Sequence, residues 1–83
     1  MTDAKRIELR LPGLVCPMPV LKAKKALAGL PAGGELELWS TDPHSGPDLE
    51  EFCRQTGHAL ESRREAEEDG KRWFVTLIRR KAD

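Results

Sequence analysis

The first third of the chain alternates apolar and charged residues and then changes to a helical spacing. Residues 6–11, RIELRL, have a period of two, which predicts a β-strand with one face in solvent. Between residues 20 and 30 the apolar positions recur at helical spacing and predict an amphipathic helix, which Gly29 and Pro31 are placed to end. The predicted stripe on one side of this helix comprises Val20, Leu21, Ala23, Lys24, Leu27 and Leu30.

The middle of the chain repeats this pattern of a strand followed by a helix. Residues 35–40, ELELWS, alternate again after a turn at 31–34 and predict a second strand. The loop 41–48, TDPHSGPD, is rich in turn residues and delivers Pro47 to the first position of a second helix. Gly57 is expected to cap the C-terminal end of that helix. Its apolar side chains are Leu49, Phe52 and Cys53, with Thr56 as a further candidate.

The last third of the chain predicts two strands joined by a hairpin. Residues 58–64 form the third predicted strand. Asp69 and Gly70 make a tight turn into residues 72–80, RWFVTLIRR, which have the clearest strand composition in the chain. The predicted order of elements is therefore β-α-β-α-β-β.

This order of elements limits the possible architectures. Right-handed crossovers place both helices on the same face of a sheet. We therefore predict an α+β fold, a two-layer α/β sandwich with a four-stranded mixed sheet. A length of 83 residues suits one small core, so residues 1–83 are expected to form a single domain with flexible ends at 1–5 and 81–83.

The sheet face opposite the helices is predicted to be partly bare. Trp39 is out of phase with Leu36 and Leu38, so its side chain points away from the main core. Two interpretations of Trp39 and Trp73 stay open. Each packs against its cross-strand neighbours, or they form an exposed aromatic anchor for a partner.

Composition and charge limit the class of protein. No apolar run approaches the roughly 20 residues of a membrane span, and the first residues lack the apolar segment of a signal peptide, so a cytoplasmic location is expected. The formal net charge is zero, but residues 31–70 are acidic whereas 1–30 and 71–83 are basic. The two basic segments are only moderately charged and fall short of a nucleic-acid-binding surface, so direct nucleic-acid binding is not expected.

The Cys-Pro-Met-Pro segment at residues 16–19 lies at the start of the first predicted helix. We place Cys16 at the N-cap and Pro17, Met18 and Pro19 in the first turn, where a missing N–H group costs no intrahelical hydrogen bond. The Met18 amide is then the donor nearest to the Cys16 sulfur. Since a helix N-terminus also favours an anion, the pKa of the Cys16 thiol is expected to be lowered.

The spacing of this segment narrows the chemistry of Cys16. Pro19 occupies the place of the second cysteine of a C-x-x-C motif, which excludes disulfide exchange within the motif. The remaining chemistry is that of a single nucleophilic sulfur, which attacks a group and holds it covalently. The alternative is a small buried cysteine that precedes a helix. The nearest basic residues in sequence are Arg10, Lys22 and Lys24.

Taken together, these residues resemble the TusA/SirA-like sulfur-carrier proteins. The family signature Gly-Leu-x-Cys-Pro-x-Pro is matched at Gly13, Leu14, Cys16, Pro17 and Pro19. It is followed by an Asp-Pro pair ahead of the second helix, here Asp42 and Pro43. The resemblance continues through STDPHSGPDLEEFCRQTGHAL and DGKRWFVTLIRRK, which covers nearly the whole chain.

The resemblance implies a sulfurtransferase in which Cys16 carries sulfane sulfur as a persulfide. The donor would be a cysteine desulfurase or a rhodanese-type protein, and the acceptor a downstream protein. Destinations in the family include tRNA thiolation, molybdenum-cofactor maturation and oxidative sulfur metabolism. Residues 17–19 would support the helix start. Gly13, Leu14, Asp42 and Pro43 would provide loop or partner contacts, and no cofactor is expected.

Two positions set this chain apart from some members of the family. Arg10 stands six residues before the cysteine, where many relatives have Asp, so subfamily and route are not carried over. Met18 in the variable position of the motif resembles the broader branches of the family more than the Glu-bearing tRNA-thiolation type.

The remaining candidate residues have less specific interpretations. Cys53 is expected to be a buried core thiol, with a disulfide to Cys16 as the alternative. His44 is either an exposed loop residue or a base for the thiol, and His58 serves a helix end or a strand start. The cysteines and histidines share no zinc-type spacing, so no metal site is expected.

A second hypothesis belongs to a different class of function. The chain would be a non-catalytic protein-binding or regulatory module that uses the exposed sheet face. It predicts that substitution of Trp39 or Trp73 removes function while Cys16→Ser retains it.

Overall fold

Two helices pack on one face of a four-stranded sheet. The structure is a computed structural model that describes residues 5–82. Its elements are β1 (Arg6–Leu11), α1 (Met18–Ala28), β2 (Glu35–Ser40), α2 (Ser45–Thr56), β3 (Ala59–Glu68) and β4 (Lys71–Arg79). The predicted α+β class and the order β-α-β-α-β-β are confirmed.

The sheet is mixed and has the strand order β1-β2-β4-β3. Strands β1 and β2 are parallel, with Leu11 opposite Ser40, whereas β2–β4 and β3–β4 are antiparallel. Since parallel strands run in the same direction, β1 and β2 end at the same edge of the sheet. The loops 12–17 and 41–44 leave from that edge and lie beside each other.

The main core lies between the helices and the sheet. Leu36 and Leu38 of β2 and Ile78 of β4 are fully buried, and they share one cluster with Leu27 of α1 and Leu49 of α2. Burial of an aliphatic side chain of this size contributes about 1.5–3 kcal/mol. The alternating residues of the strands therefore fix which sheet face the helices cover.

Leu21 departs from the predicted stripe of α1. Its side chain is 52% exposed, whereas Pro19, Ala23 and Leu27 are the buried residues of this helix. Leu21 lies two positions from Pro19 and from Ala23, which places it about 200° around the helix from each of them. The prediction that Leu21 belongs to the buried stripe is therefore wrong.

A second, smaller core covers the opposite face of the sheet. Trp39 and Trp73 are each 4% exposed, with ring centroids 5.9 Å apart in an edge-to-face arrangement. The Arg10 Cζ lies 3.8 Å from the centroid of the Trp39 ring, and the Arg64 Cζ lies 5.2 Å from it. The cross-strand interpretation of both tryptophans is confirmed, and the interpretation as an exposed anchor is wrong.

The start of α2 differs from the prediction. His44 is the N-cap, so Pro47 is the third helical residue and not the first. Asp42 explains the earlier start, because its Oδ1 accepts the His44 N–H at 3.0 Å and its carbonyl oxygen accepts the Ser45 N–H at 3.0 Å. These two bonds close a turn that begins the helix two residues sooner.

The predicted stop signals and the hairpin turn are found where they were expected. Gly57 caps α2 in a left-handed conformation with φ 90°, and its N–H donates to Cys53 O at 2.8 Å. Asp69 and Gly70 join β3 to β4 with φ 54° and 73°. Strand β3 is longer than the predicted 58–64, with an irregularity between Leu60 and Ser62.

The predicted flexible ends fall largely on residues 1–4 and 83, which lie outside the described residues. The neighbouring positions inside the described range make backbone hydrogen bonds. Lys5 O accepts the Glu35 N–H at 2.7 Å, and the Lys81 N–H donates to His58 Nδ1 at 3.0 Å.

Candidate functional site

Cys16 lies on a turn that connects β1 to α1. The turn is closed by the Met18 N–H, which donates to Val15 O at 2.9 Å, and its Cys16–Pro17 peptide bond is cis. The Cys16 side chain is exposed, whereas Cys53 is buried, and both are free thiols. The alternative interpretation of Cys16 as a buried structural cysteine is therefore wrong.

Helix α1 begins one residue later than predicted. Pro17 is the N-cap, and Met18 and Pro19 are the first two helical residues, so Cys16 precedes the N-cap. The first intrahelical bond runs from the Leu21 N–H to Pro17 O at 3.2 Å. Both prolines still occupy the helix start, where a missing donor costs no intrahelical bond.

The Met18 amide donates its hydrogen bond to a backbone oxygen and not to the Cys16 sulfur. Its hydrogen is donated to Val15 O, and the N-cap side chain makes no capping hydrogen bond. The prediction that this amide stabilises the Cys16 thiolate is wrong. The one-residue shift is the physical reason, because the Met18 N–H closes the turn that carries Cys16.

Asp42 holds the backbone of Cys16 from the loop after β2. Its Oδ2 accepts the Cys16 N–H at 2.8 Å, while its Oδ1 accepts the N–H of His44 at 3.0 Å. The Asp42 residue is only 7% exposed. The two backbone donors, His44 and then Cys16, hold the pKa of the Asp42 carboxyl below its usual range. One buried carboxylate therefore fixes the thiol turn and the start of α2 together.

The remaining motif residues lie around this junction. The Gly13 N–H donates to Thr41 Oγ1 at 3.0 Å, which adds a second tie between the two loops. Gly13 has φ 76°, a conformation that favours glycine. Leu14 is half-buried and packs against the main core, whereas Pro43 is exposed.

The electrostatic surroundings of the thiol are acidic. The Asp48 side chain of α2 raises the pKa of the Cys16 thiol, and desolvation and the negative charges of Asp48 and Asp42 act in the same direction. The predicted lowering of this pKa is wrong. Asp48 was not among the predicted site residues, because no spacing along the chain places it near Cys16.

The other titratable candidates take structural positions. His44 Nδ1 lies 3.2 Å from Asp42 Oδ1, and the imidazole is 80% exposed. Cys53 is buried in the main core cluster, so the prediction of a core thiol is confirmed. Burial raises the pKa of the Cys53 thiol to about 11. The centroids of the His58 and Phe52 rings lie 5.8 Å apart, at the end of α2.

Arg10 is remote from the chemistry of the thiol. Besides its contact with Trp39, it donates to Glu8 Oε2 at 2.5 Å and to Glu68 Oε1 at 2.9 Å. It therefore belongs to the second core on the opposite face of the sheet.

Exposed apolar side chains lie close to Cys16. Val15 is 65% exposed, Met18 is 37% exposed and Leu21 is 52% exposed. Val15 directly precedes the cysteine, and Met18 and Leu21 follow it by two and five positions. Neighbouring large apolar side chains in solvent are typical of a surface that another protein covers.

Cys16 lies outside the cavity next to the start of α2. This cavity has a volume of about 360 Å³, and its lining includes Pro43, Arg63 and Phe74. Within residues 5–82, no group of three or more His, Cys, Asp or Glu side chains is placed to hold a metal ion. No helix in that range is long and apolar enough to cross a membrane.

The fold and the site define a small α+β protein that presents one of its two thiols on a fixed turn at a helix start. Residues 7–80 match the family model described as sulfurtransferase TusA. The chain therefore belongs to the TusA family and to the class of sulfur carriers.

Individual relatives agree with this assignment. The sulfur carrier protein TusA of Allochromatium vinosum is 43% identical over 82% of this chain and 87% of its own length. The protein of the same name from Pseudomonas syringae pv. syringae is 41% identical over 92% of this chain and 86% of its own length. A crystal structure of a SirA-like protein from Desulfitobacterium hafniense has a TM-score of 0.66 and 33% identity, and it covers 86% of this chain and 93% of its own.

Proposed function

We propose that Cys16 accepts a sulfane sulfur atom from a donor protein, holds it as a persulfide and passes it to an acceptor protein. The observation that carries this proposal is the exposed thiol on a turn that Asp42 fixes. Membership of the TusA family supplies the nature of the cargo.

The proposed transfer balances without an outside oxidant. The Cys16 thiol releases its proton, and the sulfur attacks the terminal sulfur of the donor persulfide. A new S–S bond forms on Cys16 as the S–S bond of the donor breaks, and the released donor thiolate takes up a proton. In the second exchange a thiolate of the acceptor protein attacks the terminal sulfur of the Cys16 persulfide. The S–S bond on Cys16 breaks, and Cys16 leaves as a thiolate that takes up a proton.

The surroundings of the thiol favour protein partners. A cysteine desulfurase or a rhodanese-type protein is the proposed donor, and a downstream sulfur-acceptor protein completes the relay. The exposed side chains of Val15, Met18 and Leu21 provide apolar contact area next to the thiol. The acceptor routes of the proposal are tRNA thiolation, molybdenum-cofactor maturation and oxidative sulfur metabolism.

Two further predictions belong to this proposal. A cytoplasmic location suits two free thiols, which a reducing compartment maintains. Direct nucleic-acid binding is not part of the proposed function, since Trp73 of the basic segment 71–83 is buried and offers no exposed ring for base stacking.

The alternative of a binding module on the exposed sheet face loses its main surface. Trp39 and Trp73 are buried against each other, and Arg10 stacks on Trp39. The proposal therefore rests on the thiol side of the molecule.

The experiment that tests the proposal is a sulfur-loading assay. The protein is incubated with a bacterial cysteine desulfurase and cysteine, and its intact mass is measured before and after reduction. We expect an adduct of one sulfur atom that reduction removes, that Cys16→Ala lacks and that Cys53→Ala retains. An adduct of equal yield in Cys16→Ala contradicts the proposal.

A further inference from the structure

The cavity beside the start of α2 is separate from the thiol turn and has its own chemistry. Its volume of about 360 Å³ is in the range of sites that bind small molecules. The loop before α2 and the first turn of the helix line it with Pro43 and Gly46, and the strands β3 and β4 line it with Arg63, Phe74 and Thr76. The lining therefore combines apolar surface with a few polar groups.

Arg63 places its guanidinium against the first turn of α2. A Cβ atom on residue 46 would lie 2.6 Å from Arg63 Nη2 and 2.8 Å from Nε, so Gly46 leaves the space that the guanidinium occupies. Arg64 also lines the cavity, but its Cζ lies 5.2 Å from the centroid of the Trp39 ring on the opposite face of the sheet. Arg63 is therefore the cation that faces the cavity.

The charges around Arg63 favour an added anion. The N-terminus of a helix carries a positive partial charge, and the Arg63 guanidinium adds to it. Arg63 Nη1 donates to Glu50 Oε1 at 3.0 Å, and the two side chains are 44% and 64% exposed, so this ion pair contributes little. Glu65, the acid in the lining, lies 3.6 Å from Arg72. A guanidinium has five N–H donors, so donors of Arg63 remain for a ligand.

A buried hydroxyl on the same helical turn has no hydrogen-bond partner. Ser45 is 1% exposed and directly precedes Gly46, and its Oγ is the buried side-chain polar atom within residues 5–82 that lacks a partner. Buried polar groups are normally hydrogen-bonded, so an oxyanion bound next to this turn would offer the Ser45 hydroxyl an acceptor. Thr76, which is also 1% exposed, brings a second hydroxyl group to the lining.

The apolar part of the lining indicates more than an inorganic ion. Phe74 alternates with Thr76 along β4, so both side chains lie on the same face of the sheet. Phe74 is half-buried and Pro43 is exposed. A ligand that carried only charge would leave this apolar surface in water, whereas an organic anion covers it and gains from its burial.

We propose that the cavity binds a small organic anion, with its carboxylate or phosphate group on Arg63 and its apolar part against Phe74 and Pro43. The site is distinct from Cys16, and the inference goes beyond the proposed sulfur relay. It also borders the thiol turn, because Pro43 directly follows Asp42, whose carboxylate accepts the Cys16 N–H.

NMR titration of the full-length protein tests the proposal, with the backbone amides of Gly46, Phe74 and Thr76 as reporters. The probes are benzoate and phenyl phosphate, with inorganic phosphate and the neutral benzyl alcohol for comparison. We expect saturable shifts of these amides with at least one of the two aromatic anions, and the tighter one identifies the anionic group. Inorganic phosphate is expected to bind more weakly, and benzyl alcohol to cause no saturable shift.

Three variants locate the anion. Arg63→Gln removes a charge-assisted hydrogen bond and is expected to weaken binding by about tenfold. Gly46→Ala keeps every charge but displaces the guanidinium, and it is also expected to weaken binding. Arg54→Gln, near the other end of α2, removes an arginine that is likewise paired with a glutamate, Glu51, and is the matched control with unchanged affinity.

The outcomes that overturn the inference are separate from those that bear on the sulfur carrier. Absence of saturable shifts with both aromatic anions, benzyl alcohol binding as tightly as they do, or unchanged affinity in Arg63→Gln contradicts the anion site. Each of these results leaves sulfur loading of Cys16 as the independent test of the proposed function.

Discussion

Asp42 is predicted to be the residue whose loss most affects the thiol site. Asp42→Ala leaves the amides of Cys16 and His44 without the acceptors that they have at 2.8 and 3.0 Å. A hydrogen bond to a charged group contributes about 1.5–3 kcal/mol. Because the residue is only 7% exposed, water replaces these bonds poorly. We therefore expect the free energy of unfolding to fall by about 3 kcal/mol and the melting temperature by about 15 °C.

Urea unfolding followed by tryptophan fluorescence measures this change. Asp42→Asn retains one acceptor oxygen and presents an NH₂ group to the other amide, so we expect a loss of about half that size. Sulfur loading of folded Asp42→Ala is also expected to be slower, since the Cys16 turn is no longer fixed. A change below about 0.5 kcal/mol for Asp42→Ala, the range of ordinary surface substitutions, would refute the tether between the two loops.

Three further predictions follow from the same contacts. The hydrogen bonds from His44 and Cys16 depress the pKa of Asp42, so the stability that its carboxylate provides is present at neutral pH and is lost as the pH falls below about 4. The difference in free energy of unfolding between wild type and Asp42→Asn, measured by urea unfolding, is therefore expected to narrow at low pH, and a constant difference contradicts the depressed pKa. The pKa of Cys53 is raised to about 11 by burial, so iodoacetamide followed by peptide mass spectrometry labels Cys16 in the native protein and Cys53 only in denaturant; equal labelling of both thiols argues against the buried position. Gly57 has φ 90° whereas Gly29 has φ −88°, so Gly57→Ala is expected to destabilise the protein by about 1–2 kcal/mol in urea unfolding, and Gly29→Ala to leave it unchanged or more stable. Equal effects of the two substitutions contradict the left-handed cap at Gly57.

The alternating segments and stop signals predicted the elements well because one physical cause dominates them. RIELRL and ELELWS each direct their aliphatic side chains to one face, and the structure contains β1 and β2 at these positions. Gly57 ends α2 because the left-handed conformation there favours glycine. In such segments, local chemistry and tertiary packing favour the same structure.

The starts of both helices were less predictable from the sequence. Helix α2 begins early because the Asp42 side chain and carbonyl organise the preceding turn. Helix α1 begins late because the Met18 amide closes the turn at Val15. These turn hydrogen bonds shift the helix starts away from the positions that residue propensities favour. Their presence follows from the three-dimensional arrangement of the loops, which the sequence pattern does not show.

The chemistry of the thiol was predicted in kind but not in its electrostatics. The Cys-Pro-x-Pro spacing led to a single exposed nucleophile, and Cys16 is exposed. The direction of its pKa shift depends on Asp48, which lies 32 positions later in the chain. Proximity between α2 and the thiol turn arises from the parallel pairing of β1 and β2, which residue spacing does not encode.

The central claim is that Cys16 carries the sulfur, and locating the sulfur atom tests it most directly. The protein is loaded by a cysteine desulfurase with cysteine that carries heavy-isotope sulfur, the persulfide is trapped by alkylation, and the peptides are sequenced by mass spectrometry. We expect one heavy sulfur atom on the peptide that contains Cys16 and none on the peptide that contains Cys53. Heavy sulfur on Cys53, or its absence from Cys16 while the desulfurase itself is loaded, would contradict the claim.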